Sequence, residues 1–312
     1  MLETTDIQMS YFETISADRL PTYHEGVGSR IRQGLLEQAD AVSFLRDKAR
    51  QSLADRMDAK LDQIDANRAY VGTEYDKVSL AKKLNANPDL PMIFVVAHVC
   101  ADAPHASSMM LHADYYQWLD STVALASKNS AVTWIVKPHP SCSLYGEEGL
   151  VEEVVDKYRA DHIHICPADL NVKSIGSCAD AVVTVYGTAG LEFSCLGVPA
   201  VLAGRSFYAG FGFTKDPQTL EDYEHILASI GEISPLVSEQ IAKALEVYAL
   251  WDDQFDWYNP IITSDVLSCI WGSGRDRDLN CAFELMSENL ERSDPRSLKL
   301  WDFAQSSVMS AS

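Results

Sequence analysis

"AVVTVYGTAGLEFSCLGVPAVLAG", residues 181–204, decides the fold. AVVTVYG (181–187) is a short apolar run rich in β-branched residues and reads as a strand. AGLEFSCLG (189–197) has the composition of a short helix, and PAVLAG (199–204) is a second strand. Strand, helix and strand in so few residues make one βαβ unit, whose strands must run parallel because the helix carries the chain back across the sheet. Its crossover is expected to be right-handed.

The same rhythm extends upstream. MIFVVAHV (92–99), AVTWIVKPHP (131–140) and HIHICP (162–167) read as further strands. DYYQWLDSTVALASK (114–128), EEGLVEEVVDKYRA (147–160) and NVKSIGSCA (171–179) read as the helices between them. Continuous apolar strands are those of a sheet buried on both faces. The predicted class is therefore α/β, a doubly wound parallel sheet. NANPDLP (85–91) is a breaker cluster that marks a boundary. Before it, residues 31–64 carry one or two amphipathic helices, and 1–85 contain no convincing strand. After residue 217 the chain reads as helical, ending in a polar tail, SSVMSAS, expected to be disordered. The organisation expected is a mostly helical region (1–85), a sheet domain (86–255) and a helical segment with tail (256–312).

Composition narrows the function. Lys and Arg number 25 against 45 Asp and Glu, a net charge of −20. Proteins that bind nucleic acid need clustered positive charge, so nucleic acid is excluded as a partner, whereas a single nucleotide in a local pocket is not. The seven cysteines are scattered with no CxxC pair, the pattern of reduced, mostly buried thiols. No apolar run reaches the ~18–20 residues of a membrane span. The first residues lack the apolar core of a signal peptide. The expected location is the cytoplasm.

Ligands of open parallel sheets bind beyond the carboxyl ends of the strands. Four segments fall there: AHVCADAPH (97–105), KPHP (137–140), PADLN (167–171) and YGTAGLE (186–192). In the last, Gly187 is expected to leave the strand at an unusual dihedral and Thr188 to cap the helix. The free N–H groups at the helix start favour an anion. Gly190 would admit a phosphate or sugar. Glu192 either accepts both hydroxyls of a ribose or simply complements the helix dipole. In KPHP, Pro138 and Pro140 stiffen the loop, so that Lys137 and His139 either neutralise a phosphate or serve structure alone. His98, Asp102, His105, His112 and Asp114 lack metal-ligand spacing, so a pocket-lining loop is the preferred reading and no metal is expected.

Taken together, HVCADAPH, KPHP, ADAVVTVYGTAGLEFSCLGVPAVLAG and FYAGFGFT resemble bacterial capsular polysaccharide glycosyltransferases, the group that includes β-Kdo transferases. More loosely, they resemble the sialyltransferases of the same GT-B fold. The match spans residues 92–214. The resemblance implies a Rossmann-like domain that binds a nucleotide sugar, with a CMP-activated 2-keto sugar acid such as Kdo or sialic acid as donor. It also implies inversion at the anomeric carbon and no cofactor or catalytic metal. By that resemblance His139 and Lys137 face the donor phosphate, and His98 and Pro140 line the site. Gly187, Thr188, Gly190 and Glu192 hold the nucleotide. Tyr208 and Thr214 belong to a loop closing over the donor. YHEGVGSR (23–30) resembles the acidic-Gly-x-Gly-Ser turn of sialyltransferases. Glu25 would then be the general base and Arg30 a contact to the sugar carboxylate.

The implied partners are a nucleotide sugar and a glycan or glycolipid acceptor. Peripheral association with a membrane-bound assembly complex is compatible with this, as is a partner subunit or homo-oligomer. Residues 1–85 are too short and too helical for the acceptor domain of such enzymes, so that platform is reduced, supplied by another chain, or missing from a longer protein. A sugar-nucleotide epimerase or CDP-glycerol-type transferase is the rival enzyme. A non-catalytic nucleotide-sugar-binding subunit is the rival of another class.

Overall fold

In the computed structural model, residues 2–6, 9–12, 23–60, 68–102, 109–253, 264–271 and 278–291 are described. The chain divides into a unit of Met1–Leu20 with Asp252–Ser312 and a unit of Pro21–Trp251. His105 and the terminal SSVMSAS lie outside the described residues.

The first unit contains the strands β1 (Leu2–Asp6) and β2 (Met9–Phe12), paired antiparallel with Leu2 opposite Phe12. These strands were not expected. LETTD and MSYF are short and only weakly apolar, and among the described residues they pair with each other. The helices α10 (Ser264–Trp271) and α11 (Leu279–Glu291) also belong here. A Cys269–Cys281 disulfide joins them, which corrects the expectation that every thiol is reduced.

The second unit begins with the helices α1 (Tyr23–Glu37), α2 (Val42–Met57) and α3 (Lys77–Leu84). Asp76 accepts from Ser79 N at the start of α3, and Asn85 ends it at φ 55°, a left-handed position that asparagine tolerates. The strands β3 (Met92–Val96), β4 (Thr133–Lys137), β5 (Ile163–Ile165), β6 (Ala181–Thr184) and β7 (Ala200–Leu202) occupy the runs read from sequence. The edge strand β8 (Thr214–Lys215), two residues long, has no sequence signature. Between them run α4 (Tyr115–Ala126), α5 (Leu150–Lys157), α6 (Ile175–Cys178), α7 (Ala189–Cys195), α8 (Leu220–Ala228) and α9 (Ser238–Asp253).

The six strands of this second sheet, β3 to β8, are parallel, in the order β5-β4-β3-β6-β7-β8. This is the doubly wound α/β class expected. Side chains of β3, β4 and β6 are buried along most of their length, as a sheet covered on both faces requires. On one face α4 and α8 lock together where Trp118 Nε1 donates to Tyr223 Oη at 3.0 Å. No helix among the described residues is long and apolar enough to cross a membrane.

Candidate functional site

The strand order reverses between β3 and β6, and crevices of such sheets open beyond the carboxyl ends at that reversal. His98 stands two residues past β3. Its Nε2 lies 3.0 Å from Thr184 Oγ1, at the end of β6. The same nitrogen accepts the backbone N–H groups of Val185 at 3.2 Å and Tyr186 at 3.4 Å. Tyr115 stacks on the ring at 4.4 Å, and Trp118 meets it edge-on. Burial, with a smaller push from the charge of His139, brings the His98 pKa down to about 3.

His139 and Lys137 enter from the end of β4, the strand next to β3. Ser141 N donates to His139 Nδ1 at 3.2 Å, which leaves Nε2 to carry the proton of the neutral ring. Pro140 follows His139 half-buried, and none of the described peptide bonds is cis. Lys137 Nζ donates to the carbonyl of Pro138 at 3.2 Å, and no carboxylate among the described residues forms an ion pair with it. Its neighbours Cys166 and Cys142 provide no counter-charge. Burial pushes Cys166 up to about 11 and raises Cys142, so both remain thiols. Burial also lowers the Lys137 ammonium below its usual value. The adjoining loop is held by Glu147, whose carboxylate accepts from Cys100 N at 2.8 Å and Ala101 N at 2.7 Å.

The β6–α7 turn departs from the sequence reading in several respects. Gly187 has no positive φ. Its small size matters instead, because a Cβ would sit 3.0 Å from Thr184 Oγ1 and 3.6 Å from His98 Cε1. Thr188 is already helical, at φ −57° and ψ −21°, and its hydroxyl caps nothing. The space beside Gly190 is taken by the Tyr208 hydroxyl rather than left open for a ligand. Tyr208 is itself fully buried and donates to Gly187 O at 2.5 Å. It packs behind the turn. Thr214 lies on β8, where its hydroxyl donates to Asp216 Oδ1 at 2.7 Å. It lines a cavity of about 490 Å³ with Pro199, Phe213, Leu236 and Gln240, at the amino end of β7 and away from the crevice.

Glu192 is 4% exposed, and both of its oxygens are engaged. Arg56 Nε, from the end of α2, donates to Oε1 at 3.1 Å. Tyr70 Oη donates to Oε2 at 2.7 Å, and burial beside this carboxylate raises the Tyr70 pKa well above its usual value. Neither Arg56 nor Tyr70 carries a motif, and they lie 136 and 122 residues from Glu192, so pattern reading had no signal for them. Tyr70 is fixed in turn by Asn171 Nδ2, which donates to its carbonyl at 3.0 Å. Thr73 pairs with Leu170, so this segment covers the PADLN loop.

The stretch 23–30 is the start of α1 rather than a turn. Gly28 is required because a Cβ would stand 2.7 Å from Phe207 O, so α1 packs directly on the segment that follows β7. Arg32 reinforces that packing by donating to Ala209 O at 3.2 Å. Arg30 is half-buried on the same helix. The Glu25 side chain lies outside the described residues. Asp114 caps α4 by accepting from Gln117 N, and no group of three His, Cys, Asp or Glu side chains among the described residues could hold a metal.

Several solved structures are similar to this chain. The β-Kdo 2,4 transferase of Thermosulfurimonas dismutans KpsC is 19% identical, over 66% of this chain and 54% of that one, with a TM-score of 0.41. The β-Kdo 2,7 transferase of the same protein is 20% identical over 54% and 50%, at 0.34. An S. aureus MnaA–UDP co-structure is 13% identical over 66% and 50%, at 0.38. The chain thus spans about half the length of these proteins. No curated protein matches it in sequence. Residues 1–229 match the family described as capsule polysaccharide biosynthesis protein, and the chain belongs to that family.

Proposed function

We propose that this chain is the nucleotide-sugar-binding part of an inverting glycosyltransferase of capsule synthesis. One observation carries the reading. Lys137 is a desolvated ammonium at the carboxyl edge, beside the strand reversal, and no carboxylate among the described residues pairs with it. A charge in that position is costly unless a counter-ion arrives, and the phosphate of a nucleotide sugar is such a counter-ion. His139, on the same loop, supplies a second donor.

In this reading a base, assigned to Glu25 by the family resemblance, takes the proton of an acceptor hydroxyl. The resulting oxygen forms a bond to the anomeric carbon. The bond from that carbon to the phosphate oxygen breaks, and its electron pair leaves with the nucleotide. Lys137 and His139 stabilise the departing phosphate, the type of electrostatic contribution that is commonly largest. A CMP-linked 2-keto sugar acid is the proposed donor, and a glycan the acceptor. Glu192 joins the site only by exchanging Arg56 and Tyr70 for ribose hydroxyls.

A thermal-shift series with CMP, CDP, UDP and GDP tests this. CMP at a hundred times its dissociation constant should stabilise the protein by about 2.7 kcal/mol. A UDP or CDP preference would favour an epimerase or CDP-glycerol-type transferase, and silence with all four would refute the nucleotide site. A non-catalytic nucleotide-sugar-binding subunit is the second reading. That subunit would bind CMP yet turn over only when a partner chain is added.

A further inference from the structure

The hydrogen bonds around His98 fix more than its position. A backbone N–H can only donate, so the groups of Val185 and Tyr186 both require Nε2 to act as an acceptor. A proton on Nε2 could be accepted by Thr184 Oγ1, 3.0 Å away, but would lose both N–H contacts; with Nε2 as acceptor the Thr184 hydroxyl donates to it and all three contacts are kept. The Tyr115 stack, tilted by 6°, and the Trp118 edge contact fix the plane of the ring, and the contacts of Nε2 with Thr184, Val185 and Tyr186 select the orientation within it.

We propose that His98 is a positioning residue held as a neutral imidazole with its proton on Nδ1, and that it sets the turn from β6 into α7 by accepting the Val185 and Tyr186 N–H groups. The ring occupies the place an anion would take against those two groups. A ligand phosphate at the switch point is thereby directed to Lys137 and His139. The other titratable groups facing His98 are Tyr115, His139 and, through Tyr115, Asp102 and Tyr186. Only the direction given to the phosphate rests on the function proposed above.

Nitrogen NMR of protein labelled in its histidine rings tests the tautomer directly, with the His98 signals identified by their loss in His98→Gln. The expected result is an acceptor-type Nε2 and a protonated Nδ1, unchanged between about pH 8 and about pH 5. The opposite tautomer, or protonation within that range, overturns the proposal. Two variants test the positioning. The amide oxygen of His98→Gln can reach the place of Nε2, whereas that of His98→Asn cannot. Hydrogen exchange at the Val185 and Tyr186 amides should stay within about threefold of wild type in the Gln variant and rise by about tenfold or more in the Asn variant. Equal exchange in the two variants overturns the positioning role. Neither measurement uses a nucleotide, so failure of the nucleotide site would be seen separately, in CMP binding by the wild type.

Discussion

Lys137 and Glu192 are both charged side chains carried near the carboxyl edge of one sheet, and their surroundings differ sharply. Glu192 is met by a guanidinium and a phenol from the segment before the sheet. Lys137 is met by the carbonyl of the next residue and by thiols that stay protonated. Burying an ion costs free energy that partners must offset. Glu192 has its partners within the chain, so its contribution to holding α2 and Tyr70 in place is already made. Lys137 lacks such a partner, and that difference marks where a ligand's negative charge would be favourable.

Among substitutions, the largest effect should come from Glu192→Ala. The Arg56 side chain is 13% exposed, and its loss of a partner should destabilise the fold by about 3–5 kcal/mol in denaturant titration. Lys137→Met should show no such loss, because it removes a charge that the fold does not neutralise. A smaller loss at Glu192 than at Lys137 would reverse the assignment of roles.

Next in size is the contact behind the turn. Gly190→Ala places a Cβ against the Tyr208 hydroxyl and should cost about 1–3 kcal/mol. Adding Tyr208→Phe removes that hydroxyl and should recover part of the loss. No recovery would mean that the space beside Gly190 is set by something else.

A third test concerns pH. His98 has a folded pKa of about 3 against the ordinary 6.5, so the unfolded chain binds the extra proton first. Its contribution to stability should be fully present above about pH 6.5 and decline as pH falls toward about 3. His112 and His164, also lowered by burial, act in the same direction. His98→Gln should flatten the acid limb of a stability–pH curve, and an unchanged limb would contradict the burial of a neutral ring.

Much of this architecture is written locally. Five of the six strands of the parallel sheet are apolar runs that can be recognised one at a time, and KPHP marks its loop by two prolines flanking a histidine. The remainder depends on residues distant in sequence. β8 has only two residues and exists through its pairing with β7. The Glu192 carboxylate looks available from its own neighbourhood, since Arg56 and Tyr70 reach it only after folding. Gly187 and Gly190 carry the right signal of close approach, but the approaching groups are the chain's own His98, Thr184 and Tyr208. Gly28 likewise meets the chain's own backbone, at Phe207 O.

In the function proposed above, the Lys137 ammonium receives a nucleotide phosphate. Phosphorus NMR of CMP titrated with the protein tests it most directly. The account predicts a saturable shift of the phosphorus signal with the wild type and its loss with Lys137→Met, while that variant remains folded. An equal shift with both proteins, or none with the wild type, would contradict it.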